Sequence, residues 1–271
     1  MASSIADPEE QNMAFWNEVA PVHYRSYDIA SLRKGHSLID NVQRRELYPV
    51  AGKSVVHLQC HIGTDTLSLA MDGATVTGVD FSHDSLAIAR TLAQELGLPV
   101  RFIEANVLSL TEVLRETFDL VYTTKGVLCW IRDLGRWGEV IAHLLKPGGL
   151  LYLMDGHPFL PMLGATADAP EQTDFYFHDT EPARYSGGAD YADPTYVSTN
   201  GTCEWAWTFA DIMNALVQND LRLLFLHEHD GLFFNGLPGM ESDDNGWWHL
   251  KGAKGRLPLT FSLMAQKPVS V

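Results

Sequence analysis

Residues 54–80 read SVVHLQCHIGTDTLSLAMDGATVTGVD, a strand, a tight turn, a helix, a second strand and then a carboxylate. Val55, Val56 and Leu58 form an apolar run too short for a helix, followed at once by turn chemistry around Gly63. Thr64 and Asp65 are placed to cap a helix whose apolar positions Leu67, Ala70 and Met71 fall three and four apart, with Gly73 closing it. Thr75, Val76, Thr77 and Val79 then make a β-branched strand that stops at Asp80. A short crossover forces the two strands parallel and sets the Gly63 turn beside Asp80, at the carboxyl edge where open α/β sheets bind ligands. An acid there can accept hydrogen bonds from two ribose hydroxyls, so the stretch reads as a nucleotide-type cofactor site.

Toward the C-terminus the rhythm continues. Ser82 can cap a helix in HDSLAIARTLAQELG, with Leu86, Ala89, Leu92, Ala93 and Leu96 on one face and Gly97 as terminator. A third strand over 100–105 stops at Asn106, whose amide sits where a base edge can be read. A fourth strand over 120–123 ends in Thr124-Lys125-Gly126, and a helix over 133–145 is cut off by Lys146-Pro147-Gly148-Gly149. The fifth strand, 150–154, leads into Asp155-Gly156-His157-Pro158. Strands alternating with helices predict a doubly wound parallel sheet. Residues 158–207 break the pattern with Pro, Gly and aromatics and read as a lid insertion. A helix over 210–219, strands over 221–227 and 257–266 and an aromatic, glycine-rich loop over 231–255 complete the chain.

Toward the N-terminus, residues 1–12 read as a flexible tail, and 13–50 as a helical flap in which Phe15, Trp16 and Val19 share a face before Pro21. That flap carries Tyr24 and Tyr27, and a second amphipathic segment over 37–47 ends at Pro49. Residues 51–271 form the main α/β domain.

Composition excludes several partner classes. Nineteen basic against 34 acidic residues give a formal charge of −15, and roughly two thirds of the imbalance falls after Met154. Polyanions gain nothing from such a field, so nucleic acid is not an expected partner. Cys60, Cys129 and Cys203 are scattered without a CxxC, which argues against a disulfide framework or zinc site and fits a reducing, cytoplasmic setting. No apolar run reaches the length of a membrane span, and MASSIADPEEQN lacks the basic and apolar blocks of a signal peptide.

The run from Val55 to Asp80, the strand ending at Asn106, FDLVYT and LLKPGG resemble, in order and spacing, the motifs of class I S-adenosylmethionine-dependent methyltransferases. HLQCHIGTDTLSLA, GVLCW, HPF, ADP, HEHD, PGM and GWW are similar to a bacterial-type subgroup of that superfamily. The resemblance covers nearly the whole chain. It implies a Rossmann-like, seven-stranded sheet whose last strand is antiparallel and inserted beside the fifth, with S-adenosylmethionine across the carboxyl ends of the first, second and fourth strands. Where the wider family has an acidic residue and two more glycines, this chain has His57, Gln59 and His61. By the same resemblance, Gly63 and the backbone near Gln59 and His61 face the methionine portion, Asp80 the ribose, and Phe81, Asn106 and Val107 the adenine. Lys125 and Gly126 bring backbone groups near the sulfonium, and Tyr24 closes from the flap.

A dinucleotide fingerprint needs glycines where the backbone approaches a pyrophosphate, and the residues at 59 and 61 crowd that approach. His57 and Cys60 read as packed interior residues. The donor methyl is already activated, so the protein must align an acceptor, exclude water and remove any acceptor proton. His157, after the fifth strand, is the candidate base, and a histidine merely hydrogen-bonded before Pro158 is the alternative. His227, Glu228, His229 and Asp230 are ligand-type residues, but strand alternation splits them between two faces, and no metal site is expected. Trp205, Trp207, Phe233, Phe234, Trp247 and Trp248 exceed what a core needs, which suits a small apolar or aromatic acceptor, or a cation over rings. Two classes stay open: a small-molecule methyltransferase acting on oxygen, nitrogen or carbon, and a fold relative that binds the cofactor as a sensor or catalyst of another reaction. A nucleotide-dependent oxidoreductase is a third, weaker reading.

Overall fold

The computed structural model describes residues 7–165, 170–172, 176–177 and 181–269. Seven strands make the central sheet: β1 (Ser54–Leu58), β2 (Thr75–Asp80), β3 (Arg101–Glu104), β4 (Phe118–Thr124), β5 (Leu145–Gly156), β6 (Arg222–His229) and β7 (Thr260–Gln266). Their order is β6-β7-β5-β4-β1-β2-β3. The first five run parallel, while β7 is antiparallel to both β5 and β6. The expected seven-stranded, doubly wound architecture is therefore present. The order reverses between β1 and β4, which places a crevice at their carboxyl ends.

Alternation along each strand builds a core on both faces. Val56, Leu58, Val121, Leu151 and Leu153 face one layer with helices α6 (Leu134–Leu144) and α7 (Phe209–Gln218). Val55, Leu120, Tyr122, Tyr152 and Met154 face the other, against α3 (Asn41–Leu47) and α4 (Thr64–Met71). Helices α1 (Pro8–Ser26), α2 (Ile29–Arg33) and α5 (His83–Glu95) extend that second layer through Ala20, Leu32, Leu67 and Leu92. Burial of both sheet faces explains why the strands read as nearly continuous apolar runs.

Several expectations are corrected. Residues 8–12, expected in a flexible tail, form the first turns of α1; Asp7 caps it by accepting from the amides of Glu9 and Glu10, and Pro8 occupies the first turn, where a missing N–H is harmless. Residues 1–6 of that tail lie outside the described residues. The helix also runs through Pro21 instead of ending before it, which turns a different set of side chains inward. The Lys146-Pro147-Gly148-Gly149 run does not precede β5 but lies within it, as an irregularity in pairing where Phe118 faces Leu145 and Leu120 faces Leu150. The expected capping of α4 by Thr64 and Asp65 is replaced by Gly63 at the cap, with no side-chain cap bond.

The insertion after β5 contains paired segments at 163–165 with 170–172 and at 183–185 with 202–204, and the parts of the expected lid at 166–169, 173–175 and 178–180 lie outside the described residues. It docks on α1. Glu18 accepts from the Tyr196 hydroxyl and from the amides of Thr199 and Asn200, and Asn12 bonds Cys203 in both directions, its Nδ2 to the carbonyl and its Oδ1 from the amide. The loop over 231–255 meets the insertion where the Phe234 and Tyr191 rings pack edge to face at 5.4 Å.

Candidate functional site

A cleft of about 1050 Å³ opens at the carboxyl ends of β1, β2, β3 and β4, covered by Trp16 of α1, Tyr27 at its C-cap, Trp130 after β4 and Tyr191 of the insertion. Gln59, His61, Asp80, Phe81, Asn106, Val107, Lys125 and Gly126 all line it. Gly63 sits behind the lining at φ +77°, and a Cβ there would come within 3.0 Å of Ala89 and 3.2 Å of Phe102, so both backbone and packing demand glycine. Tyr24 lies elsewhere. Its hydroxyl accepts from Arg33 and its ring packs in the α1/α5 layer; Tyr27, one helical turn on, is the flap tyrosine that reaches the cleft.

Asp80 is buried, with 6 % exposure, at the end of β2. Its two oxygens accept from the amides of His61 (2.7 Å) and Ser82 (2.8 Å), yet burial outweighs these bonds and lifts the carboxyl to about 6. Each oxygen keeps a lone pair for a further donor. The side-chain oxygen of Asn106 accepts from the Leu108 amide and its Nδ2 donates to Glu9, so its expected reading of a base edge competes with these roles. The amides of Lys125 and Gly126 are likewise engaged, by the Met154 carbonyl and the Asp155 carboxylate.

Gln59, His61 and Lys125 take left-handed backbone conformations, with φ of 53°, 50° and 68°. Non-glycine residues rarely do so, and such strain collects at functional sites. The Gln59 Nε2 donates to the Val127 carbonyl, tying the turn after β1 to the loop after β4, while its buried Oε1 has no partner among the described residues. Lys125 Nζ lies between Asp65 (3.4 Å) and Asp40 (3.6 Å). Asp65 also accepts from the Tyr122 hydroxyl; burial works to raise its carboxyl, but Lys125, His57 and Tyr122 hold it below the ordinary value.

A second chain of polar groups crosses the cover. His61 Nδ1 meets the Ser85 hydroxyl at 2.9 Å, His61 Nε2 meets His23 Nδ1 at 2.8 Å, and His23 Nε2 meets Asp190 at 3.0 Å. With neutral rings one order of hydrogens satisfies every contact: Ser85 donates to His61, His61 to His23 and His23 to Asp190. Burial, then His23, drives the His61 ring well below its ordinary value, which keeps it neutral. The Tyr27 hydroxyl lies 2.5 Å from that of Tyr191 and 3.3 Å from His23.

Residues 55–149 match the family described as a methyltransferase domain. The ubiquinone biosynthesis O-methyltransferase of Paracidovorax citrulli is 32% identical over 161 residues, 56% of this chain and 64% of that protein, so the chain spans less than two thirds of that relative. An S-adenosylmethionine-dependent methyltransferase from Mesorhizobium loti superposes with a TM-score of 0.59 at 20% identity, covering 83% of this chain and 95% of that one. The cyclase SpnF superposes with a TM-score of 0.58 at 17% identity, covering 98% of each. The fold is that of the S-adenosylmethionine-dependent methyltransferases.

Within the methyltransferase fold, His57 and Cys60 are interior as expected from their neighbours: burial lowers the His57 ring to about 4 and pushes the Cys60 thiol well up. His157 does not line the cleft. Its Nε2 contacts Glu228 at 2.9 Å and its Nδ1 accepts from the Phe159 amide at 3.0 Å, which orients the start of the insertion. Its neighbour Asp155 is closer to the site, since its carboxylate accepts from the amides of Gly126, Val127, Leu128 and Gly156. His23 and Asp190 carried no local signal, while Trp16, Trp130 and Asp155 stood in segments the sequence singles out without a role being assigned to them. Among the described residues, no group of three or more His, Cys, Asp or Glu is arranged to hold a metal, and no helix is long and apolar enough to cross a membrane.

Proposed function

We propose that the chain transfers a methyl group from S-adenosylmethionine to a small molecule, and that it belongs to the bacterial-type subgroup marked by the HLQCHIGTDT motif. The observation that carries this reading is the charge of the cleft. Glu9, Asp65 and Asp80 face it, and its one lysine, Lys125, is held between two carboxylates. Among the described residues a pyrophosphate finds no free basic side chain there, whereas a sulfonium cofactor with vicinal ribose hydroxyls meets complementary charge. The buried, unpartnered Oε1 of Gln59 supplies an acceptor for a donor group of the same ligand.

When bound, S-adenosylmethionine supplies a methyl group already activated on sulfur. The chain's residues do the rest: Asp80 holds the ribose, Phe81, Val107 and Ile131 enclose the base, and Gln59, His61 and Lys125 border the amino-acid end. Trp16, Tyr27, Trp130 and Tyr191 exclude water from above. The acceptor is a small apolar or aromatic molecule, and the O-methyltransferase among the relatives favours oxygen as the methylated atom. Calorimetry with S-adenosylmethionine and a nicotinamide dinucleotide checks the cofactor; tighter binding of the dinucleotide overturns the assignment. The same fold in a cyclase supports a second reading, cofactor binding without methyl transfer. Release of S-adenosylhomocysteine during incubation with candidate acceptors separates the two.

His157→Ala is expected to leave turnover within about fivefold of the parent, because the imidazole stands outside the cleft; loss of a true general base costs about 10² to 10⁴. A drop of that larger size, with cofactor affinity unchanged, would return His157 to the chemistry.

A further inference from the structure

A second cavity, of about 820 Å³, adjoins the cofactor cleft and shares Trp16, Trp130 and Tyr191 with it. Its walls come from α1, the turn after β4 and the insertion. Phe15 and Trp130 stack with centroids 6.3 Å apart and planes 21° apart, and Trp16 sets its ring edge to face against Trp130 at 5.3 Å. The Trp130 indole is held in place by donating to the Gly126 carbonyl at 2.8 Å. The three rings form an aromatic wall beside the cleft.

Its polar lining is one-sided. Among the described residues no lysine, arginine or histidine lines the cavity, while Glu204 and Asp190 do. Asp190 is committed to His23 and to the amides of Ala192 and Asp193. Glu204 accepts only from the Thr202 hydroxyl, at 2.9 Å, and among the described residues it has no ion-pair partner. Burial raises its carboxyl, the mark of a half-sheltered carboxylate that a cation would stabilise.

Taking the donor reading above as its basis, we propose that this cavity is the acceptor site and that the acceptor is a flat aromatic ring carrying an amine. The ring packs among Phe15, Trp16 and Trp130, and the ammonium is met by Glu204 and the ring faces. The shared residues Trp16 and Tyr191 then hold acceptor and donor next to each other, and the insertion selects the acceptor because it supplies Glu204. A neutral or anionic ring of the same size leaves Glu204 desolvated and unpaired, which is the basis of discrimination.

The test uses the full chain saturated with S-adenosylhomocysteine, titrated calorimetrically with tryptamine and with indole-3-acetate, two ligands of one ring and opposite charge. Tryptamine is expected to bind about tenfold or more tighter. Glu204→Gln should erase that difference by weakening tryptamine about tenfold, with S-adenosylhomocysteine binding unchanged as the check on folding. Equal affinities in the parent chain, a preference for the acid, or no tryptamine binding while S-adenosylhomocysteine binds would overturn the acceptor class. If S-adenosylhomocysteine itself does not bind, the donor reading fails instead.

Discussion

Asp80→Ala should weaken S-adenosylmethionine binding by about 2–4 kcal/mol, the scale for losing hydrogen bonds to a charged group in a sheltered site. The parent should also show a pH signature that the variant lacks. Burial lifts the Asp80 carboxyl from 3.8 to about 6. Below that value the group is protonated and accepts ribose hydroxyls poorly, so affinity is full above about pH 7 and falls as pH drops through 6, by about tenfold at pH 5. Stability of the free protein runs the other way. Between 3.8 and about 6 the folded state binds more protons than the unfolded, so this group's contribution declines as pH rises through that window and levels off above it. The shift corresponds to a cost on the order of 3 kcal/mol for the ionised form. Calorimetry at pH 5 and pH 8, on parent and variant, measures both; a pH-independent affinity in the parent would move the ribose away from Asp80.

Asp155→Ala should destabilise the fold by about 4–6 kcal/mol. The carboxylate is buried and collects four backbone donors, at 2.8 Å from Gly126, 3.0 Å from Val127, 2.8 Å from Leu128 and 2.7 Å from Gly156. Each buried donor left without a partner costs about 1–3 kcal/mol, less where water can enter. Because domains have a total stability of about 5–15 kcal/mol, the variant should unfold at much lower urea. Burial raises the Asp155 carboxyl in spite of those four donors, so the loop after β4 is fastened by a strongly desolvated anion. A urea midpoint shift worth less than 1 kcal/mol would show that the loop finds other acceptors.

The two expected results differ in how far the chain announces them. Asp80 is legible because strand, turn and strand end within one crossover are local, and the short apolar and β-branched run of β2 stops where the carboxylate begins. Asp155 was visible as a strand-end residue, but three of its four donors come from a loop almost thirty residues earlier, and no local pattern states that pairing. The cover was misread for a related reason. A proline ordinarily ends a helix, yet α1 continues past Pro21, and the continued turn carries His23 inward and brings Tyr27, the C-cap, to the cleft in place of Tyr24. What holds that face is Asp190, 167 residues away in sequence. The Lys146-Pro147-Gly148-Gly149 run shows the opposite failure, a strong local stop signal absorbed into a strand by its neighbours on either side.

The left-handed backbone at Gln59 and His61 bears on how such chains are recognised. By the resemblance, these are positions where the wider family carries glycine, and glycine is the residue that takes this conformation without strain. What the turn retains is therefore its shape and not its letters. A pattern that counts glycines scores this turn as broken, while the dihedral angles describe it as intact; and because each side chain costs about 1 kcal/mol or more to hold there, its presence measures how much stability the chain gives up for what that side chain does.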